Sequence, residues 1–205
     1  MCRLLETIRI ENGQTDNLIA NQIRMDQAYL HFFRQPSGID LQDLVEENVH
    51  DPKLSDLNYG IYKIRVVYSR QVEQVIFFPY TLPEIQSLKL VIDDEIEYAH
   101  KFADRQNLEH LMLLKETCDD IIIVKNGFLT DTSYANLAFF DGNHWFTPDR
   151  PLLKGTRRAL LLFQKKIHPA QIKPGHLRFF KKARLFNAMI RWEDKIDVAV
   201  DNIRV

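Results

Sequence analysis

Residues 59–69 constrain the fold of this 205-residue chain more than any other stretch. Ile61, Lys63, Arg65 and Val67 alternate there with Tyr62, Ile64, Val66 and Tyr68. Strand side chains point alternately to opposite faces, so the two sets occupy opposite sides of one strand. Residues 72–78, ended by Pro79, and residues 87–92 read as two more strands. Upstream, residues 4–10 read as a strand and Asn12-Gly13 as a turn. Leu18, Ile19, Ile23, Met25, Ala28, Tyr29 and Phe32 then recur at helical spacing. Thr15 or Asp16 is placed to cap that helix, and Pro36-Ser37-Gly38 to end it. A second helix over 41–49 precedes Asp51-Pro52. Two helices followed by three strands predict an α+β unit of about 90 residues.

The second half reads as shorter elements. Residues 104–115 form a helix, and residues 120–124 an apolar strand before Asn126-Gly127. Strands follow at 128–130, 136–140 and 144–147, the last two joined by Asp141-Gly142-Asn143. A loop over 148–153 leads to a helix over 156–166, and strands at 185–190 and 196–200 close the pattern. The expected division is a small domain over 1–95 and a larger one over 96–205.

An apolar fraction of 45% and a charged fraction of 27% exclude wholesale disorder, collagen and coiled coil. No apolar run reaches the length of a membrane span. The N-terminus lacks the apolar core of a secretion signal. Cys2 and Cys118 make neither a disulfide framework nor a structural zinc site, and the scattered histidines suggest no metal. The expected location is the cytoplasm. Charge is divided, with −7 over 1–100 and +6 over 101–205, and no acidic residue lies between Asp149 and Glu193. The run Lys165, Lys166, Lys173, Arg178, Lys181, Lys182 and Arg184, with Phe179 and Phe180, allows nucleic-acid binding. Without a recognition motif, a solvated face or a face meeting an acidic partner surface is the better reading.

Several residues carry possible chemistry. Lys101 is either a solvated charge or a lysine that joins a carbonyl as a Schiff base. Asp131 is either a turn residue or a carboxylate facing a pyridinium nitrogen. Asn136, five positions on, caps a turn or braces a ligand. Gly155, Thr156 and Arg157 open a helix whose free N–H groups suit a phosphate, or simply cap it. Arg24 lies among apolar helix positions, where a buried guanidinium would require an anion or carboxylate, or it is a surface charge. Arg65 is either a carboxylate receptor or a solvated strand residue.

In their order these segments resemble the class IV aminotransferases, the pyridoxal-phosphate enzymes of fold type IV. Leu5-Glu6-Thr7-Ile8-Arg9 is similar to that family's F-E-T-x-R strand, and Asn21-Gln22-Ile23-Arg24-Met25 to H-x-x-R-L, with Asn21 at the histidine. Lys101-Phe102-Ala103-Asp104-Arg105 resembles the Schiff-base segment. Asp131 through Asn136 resembles E-x-x-x-x-N, with aspartate for glutamate. Thr147-Pro148 and Leu153 through Arg158 resemble T-P-x-x-x-x-L-x-G-x-T-R, with Arg157 at the threonine. Leu185-Phe186-Asn187-Ala188-Met189 resembles F-x-T-N-A, with Phe186 at the threonine.

The resemblance implies a two-domain fold, with a small N-terminal α/β sandwich-like domain, a larger barrel-like C-terminal domain, and pyridoxal 5'-phosphate in the cleft. It implies Lys101 as the cofactor lysine and base, Asp131 at the pyridine nitrogen, and Arg24, Thr156 and Arg157 at the phosphate. It also implies a homodimer. The reaction is amino transfer between an amino acid and a 2-oxo acid, or loss of pyruvate from an aminodeoxychorismate-like substrate to give 4-aminobenzoate. The chain starts at the F-E-T-like strand and is shorter than typical members, which would remove parts of substrate selection. These departures also allow a non-enzymatic binding protein on the same fold.

Overall fold

The structure, a computed structural model, describes residues 2–49 and 60–205. Asp51-Pro52 and Tyr59 lie outside the described residues. The chain forms two compact units, Met1–Leu82 with His100–Asp104, and Pro83–Ala99 with Arg105–Val205.

The first unit is a sheet of order β2-β1-β3-β4, covered on one face by two helices. Its elements are β1 (Leu4–Glu11), β2 (Gln14–Asp16), α1 (Leu18–Phe33), α2 (Leu41–Val49), β3 (Ile61–Tyr68) and β4 (Val72–Pro79). Asn12 and Gly13 both take positive φ, the conformation that a tight two-residue hairpin demands. β1 and β3 pair antiparallel without interruption, from Leu4 opposite Tyr68 to Glu11 opposite Ile61. This register sorts the side chains. Leu4, Ile8, Ile10, Ile64, Val66 and Tyr68 meet Met25, Ala28 and Tyr29 of α1 and Leu41 and Val45 of α2 in one core. Ile8, Met25, Leu41, Ile64 and Val66 are sealed from solvent, each contributing ~1.5–3 kcal/mol. Gln22 ties the helices together, donating to the Ile39 carbonyl and accepting from the Leu41 N–H. The helix start differs from expectation. Neither Thr15 nor Asp16 caps α1, because both belong to β2. The cap position is Asn17, in the left-handed region. At the other end Arg34, at φ 59°, stops α1 two residues before Pro36.

The second unit holds β5 (Leu88–Ile92), α3 (Gln106–Met112), β6 (Asp120–Lys125), β7 (Phe128–Thr132), β8 (Asn136–Phe140), β9 (Trp145–Pro148), α4 (Thr156–Phe163), β10 (His168–Ala170), β11 (Lys182–Phe186), β12 (Ile196–Ala199) and β13 (Ile203–Arg204). They form two open sheets, of order β10-β9-β8-β11-β12 and β13-β5-β6-β7. Both sheets share a core of Leu88, Ile122, Leu137, Phe139, Leu185 and Val198. The expected barrel-like domain thus consists of two sheets around one core, neither closed on itself. β6 is apolar from Ile121 to Val124 because both its faces are covered. Ile122 and Val124 enter that core, while Ile121 and Ile123 pack on Leu108 and Leu111 of α3.

β5 corrects the grouping of strands. Read as the third strand of the first unit, it instead pairs parallel with β6 and β13. A short apolar run specifies a strand but not its partner. The helix expected over 104–115 is shorter than its pattern, ending at Met112 and passing into a 3-10 turn over Leu113–Lys115.

Candidate active site

The second unit builds its polar centre from three segments. β7 presents Asp131 and β8 begins with Asn136. The turn between them is closed by Thr132, whose hydroxyl accepts from the Ala135 N–H at 3.0 Å. Across this turn Asn136 Nδ2 donates to Asp131 Oδ1 at 2.8 Å. The same nitrogen donates to the Leu153 carbonyl at 2.9 Å, and the Leu153 N–H donates to Asp131 Oδ2 at 2.9 Å. The loop before α4 is therefore fastened to the carboxylate on both sides. Burial pushes the Asp131 carboxyl up to about 6, against the pull of the Leu153 N–H, the Asn136 amide and the Arg158 charge. Arg158 holds the start of the same loop, donating through Nη2 to the Pro148 carbonyl at 2.8 Å.

Gly155 and Thr156 follow. A Cβ at Gly155 would overlap Asn136 Oδ1, so only glycine lets the loop lie this close. Thr156 and Arg157, both buried, open α4. The Thr156 hydroxyl is shut from solvent and has no hydrogen-bond partner among the described residues. A helix N-terminus with a buried, unsatisfied hydroxyl and a glycine entry is suited to an anion. A buried carboxylate of raised pKa suits a cationic ring nitrogen. Asp131, Asn136, Gly155, Thr156 and Arg157 are thus brought together within this unit.

Lys101, Arg24 and Arg65 belong to the first unit. Residues 101–103 run antiparallel beside β1. The Leu5 N–H donates to the Lys101 carbonyl and the Ala103 N–H to the Arg3 carbonyl, both at 2.9 Å. Leu4 faces Phe102 across this bridge, and both enter the helix-side core. Lys101, one residue away, is partly buried.

Arg24 lies on the helix side, where both Nε and Nη2 donate to the Glu6 carboxylate. Asn21 Nδ2 donates to Glu6 Oε2 at 2.7 Å and to the Thr7 carbonyl at 3.0 Å. Glu6 was missed as a site residue. The only signal was its place in the F-E-T-x-R-like segment, since an isolated glutamate in a strand carries no pattern. Arg65 has no hydrogen-bond or ion-pair partner among the described residues, and its Nε is buried. Among the described residues no group of three metal-binding side chains occurs, and no helix is long and apolar enough to cross a membrane.

Residues 3–192 match the sequence profile of the family described as amino-transferase class IV. An uncharacterized protein of Haemophilus influenzae is 33% identical over 189 residues, covering 92% of this chain and 98% of that protein. Among solved structures, a proposed 4-amino-4-deoxychorismate lyase from Haemophilus somnus is 37% identical with a TM-score of 0.86, covering 93% of this chain and 98% of that one. A hypothetical aminotransferase from Mycobacterium tuberculosis, in its PLP-bound form, shares the fold at 15% identity. Its TM-score is 0.74, over 98% of this chain and 81% of that one.

Proposed function

Because this chain belongs to the class IV aminotransferases, whose cofactor is pyridoxal phosphate, we propose that it is an enzyme moving an amino group between an amino acid and a 2-oxo acid. The observation that carries this reading is the Asp131–Asn136–Leu153 lock standing beside the unsatisfied Thr156 hydroxyl. These residues fit the cofactor. The buried hydroxyl and the opening N–H groups of α4 would take its phosphate, and the Asp131 carboxylate its ring nitrogen. When bound, the cofactor supplies the electron sink for a proton lost from the substrate α-carbon.

The chain's own residues do the rest. Lys101 Nζ anchors the cofactor aldehyde and moves the proton at the substrate α-carbon. Asp131 keeps the ring nitrogen protonated, and Asn136 holds Asp131 in place rather than touching substrate. Arg157, and Arg24 steadied by Glu6, add positive charge for the phosphate. Arg65 receives a substrate carboxylate. The protein is read as a cytoplasmic homodimer, a state that light scattering tests.

A second reading is loss of pyruvate from 4-amino-4-deoxychorismate to give 4-aminobenzoate. The 37% identity to the Haemophilus somnus protein favours it.

The test loads the purified protein with pyridoxal phosphate, follows its visible absorbance, fixes the adduct with borohydride and maps it by mass spectrometry. Label on Lys101, with keto-acid-dependent amino transfer, is expected. Pyruvate release without amino transfer selects the lyase. A Lys101→Ala protein that absorbs and turns over like the parent sinks the lysine assignment, and absence of cofactor uptake sinks the reading.

A further inference from the structure

The second unit carries a cavity of about 240 Å³, and every residue that lines it belongs to that unit. Asp131, Asn136, Gly155, Thr156 and Arg157 are not among them. β7 contributes Phe128 and Thr130. Leu129 between these two enters the core that the sheets share, so the cavity lies against the other face of the strand. Residues 96–99 and 150–152 complete the lining.

Both segments are fixed in place. Asp93 Oδ1 accepts from the Glu95 and Ile96 N–H groups, and Lys125 Nζ donates to the Ile96 carbonyl at 2.6 Å. The Asn126 N–H donates to Asp94 Oδ1 at 2.6 Å. Leu152 packs, with Tyr98, on the apolar group that holds Ile96, Leu108 and Leu111. Leu153, the next residue, is tied to Asp131 and Asn136. The cavity is therefore formed before a ligand arrives, which lowers the ordering cost of binding.

Its chemistry is one-sided. Tyr98 and Phe128 supply aromatic surface, and Ile96, Pro151 and Leu152 aliphatic surface. The Thr130 hydroxyl donates to the Ile123 carbonyl at 2.7 Å. Lys125 pairs with Glu97 at 2.6 Å, so those two charges cancel. Arg150 and Asn126 remain. Neither side chain has a hydrogen-bond or ion-pair partner among the described residues, and both residues are exposed. A guanidinium free to pair, beside an aromatic-lined cavity, suits a planar acid whose ring lies on the apolar surface. A phosphate would leave that surface unused, and a cation would meet Arg150 with like charge. An apolar cavity of ~150 Å³ holds one benzene ring. The volume here admits a single ring with one acidic group.

We propose that this cavity is a second ligand site that takes a small aromatic carboxylate. Arg150 and the Asn126 amide hold the carboxylate, and Phe128 and Tyr98 flank the ring. The site is independent of the amino-transfer reading, because none of the residues placed at cofactor or substrate lines it.

The experiment titrates protein labelled at isoleucine and leucine methyl groups with benzoate, benzamide and acetate. The Ile96 and Leu152 resonances are followed by NMR in cofactor-free and pyridoxal-phosphate-loaded protein. Benzoate is expected to move both resonances, with a Kd of about 1 mM or below. Benzamide, a ring without the charge, should bind about three- to fivefold more weakly. Acetate, the charge without a ring, should bind at least about tenfold more weakly. Arg150→Gln should bring benzoate to the level of benzamide and leave benzamide unchanged. Phe128→Leu should weaken both ring ligands. If benzoate leaves the Ile96 and Leu152 resonances of the parent protein unmoved up to about 10 mM, the proposal is overturned whatever the variants do. Acetate binding as tightly as benzoate also overturns it, as does a preference for benzoate over benzamide that survives in Arg150→Gln. Displacement of benzoate by pyridoxal phosphate would put the acid in the cofactor site and overturn it as well.

Discussion

Asp131 is a residue whose protonation the fold controls. Its carboxyl is buried and accepts from Asn136 and the Leu153 N–H, yet burial outweighs both and raises it to about 6. An unfolded aspartate titrates near ~3.9. Between these values the folded protein binds more protons than the unfolded chain, so this group's contribution to stability falls as pH rises from about 4 to about 6. The full loss is on the order of 3 kcal/mol. In cofactor-free protein, Asp131→Asn removes the penalty and should flatten the pH dependence of the melting temperature across that window. If the Asp131→Asn protein is as pH-sensitive as the parent, the carboxyl keeps its ordinary range and burial does not dominate it. A cationic ring nitrogen at Asp131 would offset the same penalty, so the substituted protein should gain apo stability and lose cofactor affinity.

At the scale of elements, the tie between β1 and α1 passes through Glu6. It is buried and accepts from Asn21 and from two nitrogens of Arg24, whose side chain is itself 15% exposed. Glu6→Ala leaves that guanidinium without its carboxylate and should cost roughly 3–5 kcal/mol. Adding Arg24→Met should recover more than half, measured by urea denaturation. Losses that simply add would show that the two side chains do not act as a pair.

Sequence pattern reached much of this level. The alternation at 61–68, the Asn12-Gly13 turn and the helices over 18–33 and 41–49 are set by local rules, and they stand where those rules put them. Asp131 and Asn136 stood out through the E-x-x-x-x-N-like segment, and the turn between β7 and β8 brings the two side chains into hydrogen-bond contact. The partner of β5 was not visible, because strand pairing is decided by a segment some thirty residues away. Glu6 was not visible either. Its importance comes from two side chains 15 and 18 residues away. The unpartnered state of Arg65 depends on three strands at once, which no window along the chain contains.

For the whole molecule, the long acid-free stretch from residue 150 to 192 poses the question of nucleic acid. The fold answers much of that charge from just beyond the stretch. Asp197 pairs with Lys182 at 2.7 Å and with both Nε and Nη2 of Arg184, whose guanidinium also lies 4.7 Å from the rings of Trp145 and Trp192. Glu193 pairs with Lys166 at 3.4 Å. Lys173 lies over Phe128 and Arg178 over Phe179. Phe180, one of the two candidate stacking rings, packs instead against the core beside Phe139 and Phe146. A backbone-tracking groove needs cations free to displace counterions and exposed rings to stack on. Here Lys166, Lys182 and Arg184 are held by carboxylates, Lys173 and Arg178 lie over rings, and of the two candidate stacking rings Phe179 alone is exposed. Titration of labelled single-stranded RNA at several salt concentrations should therefore give weak binding, with log affinity falling against log salt at a slope no steeper than about −2. A slope near about −5 with micromolar affinity would require roughly seven phosphate contacts, so that Lys166, Lys182 and Arg184 would have to leave their carboxylates together. That result would reverse the assignment of the basic stretch to structure.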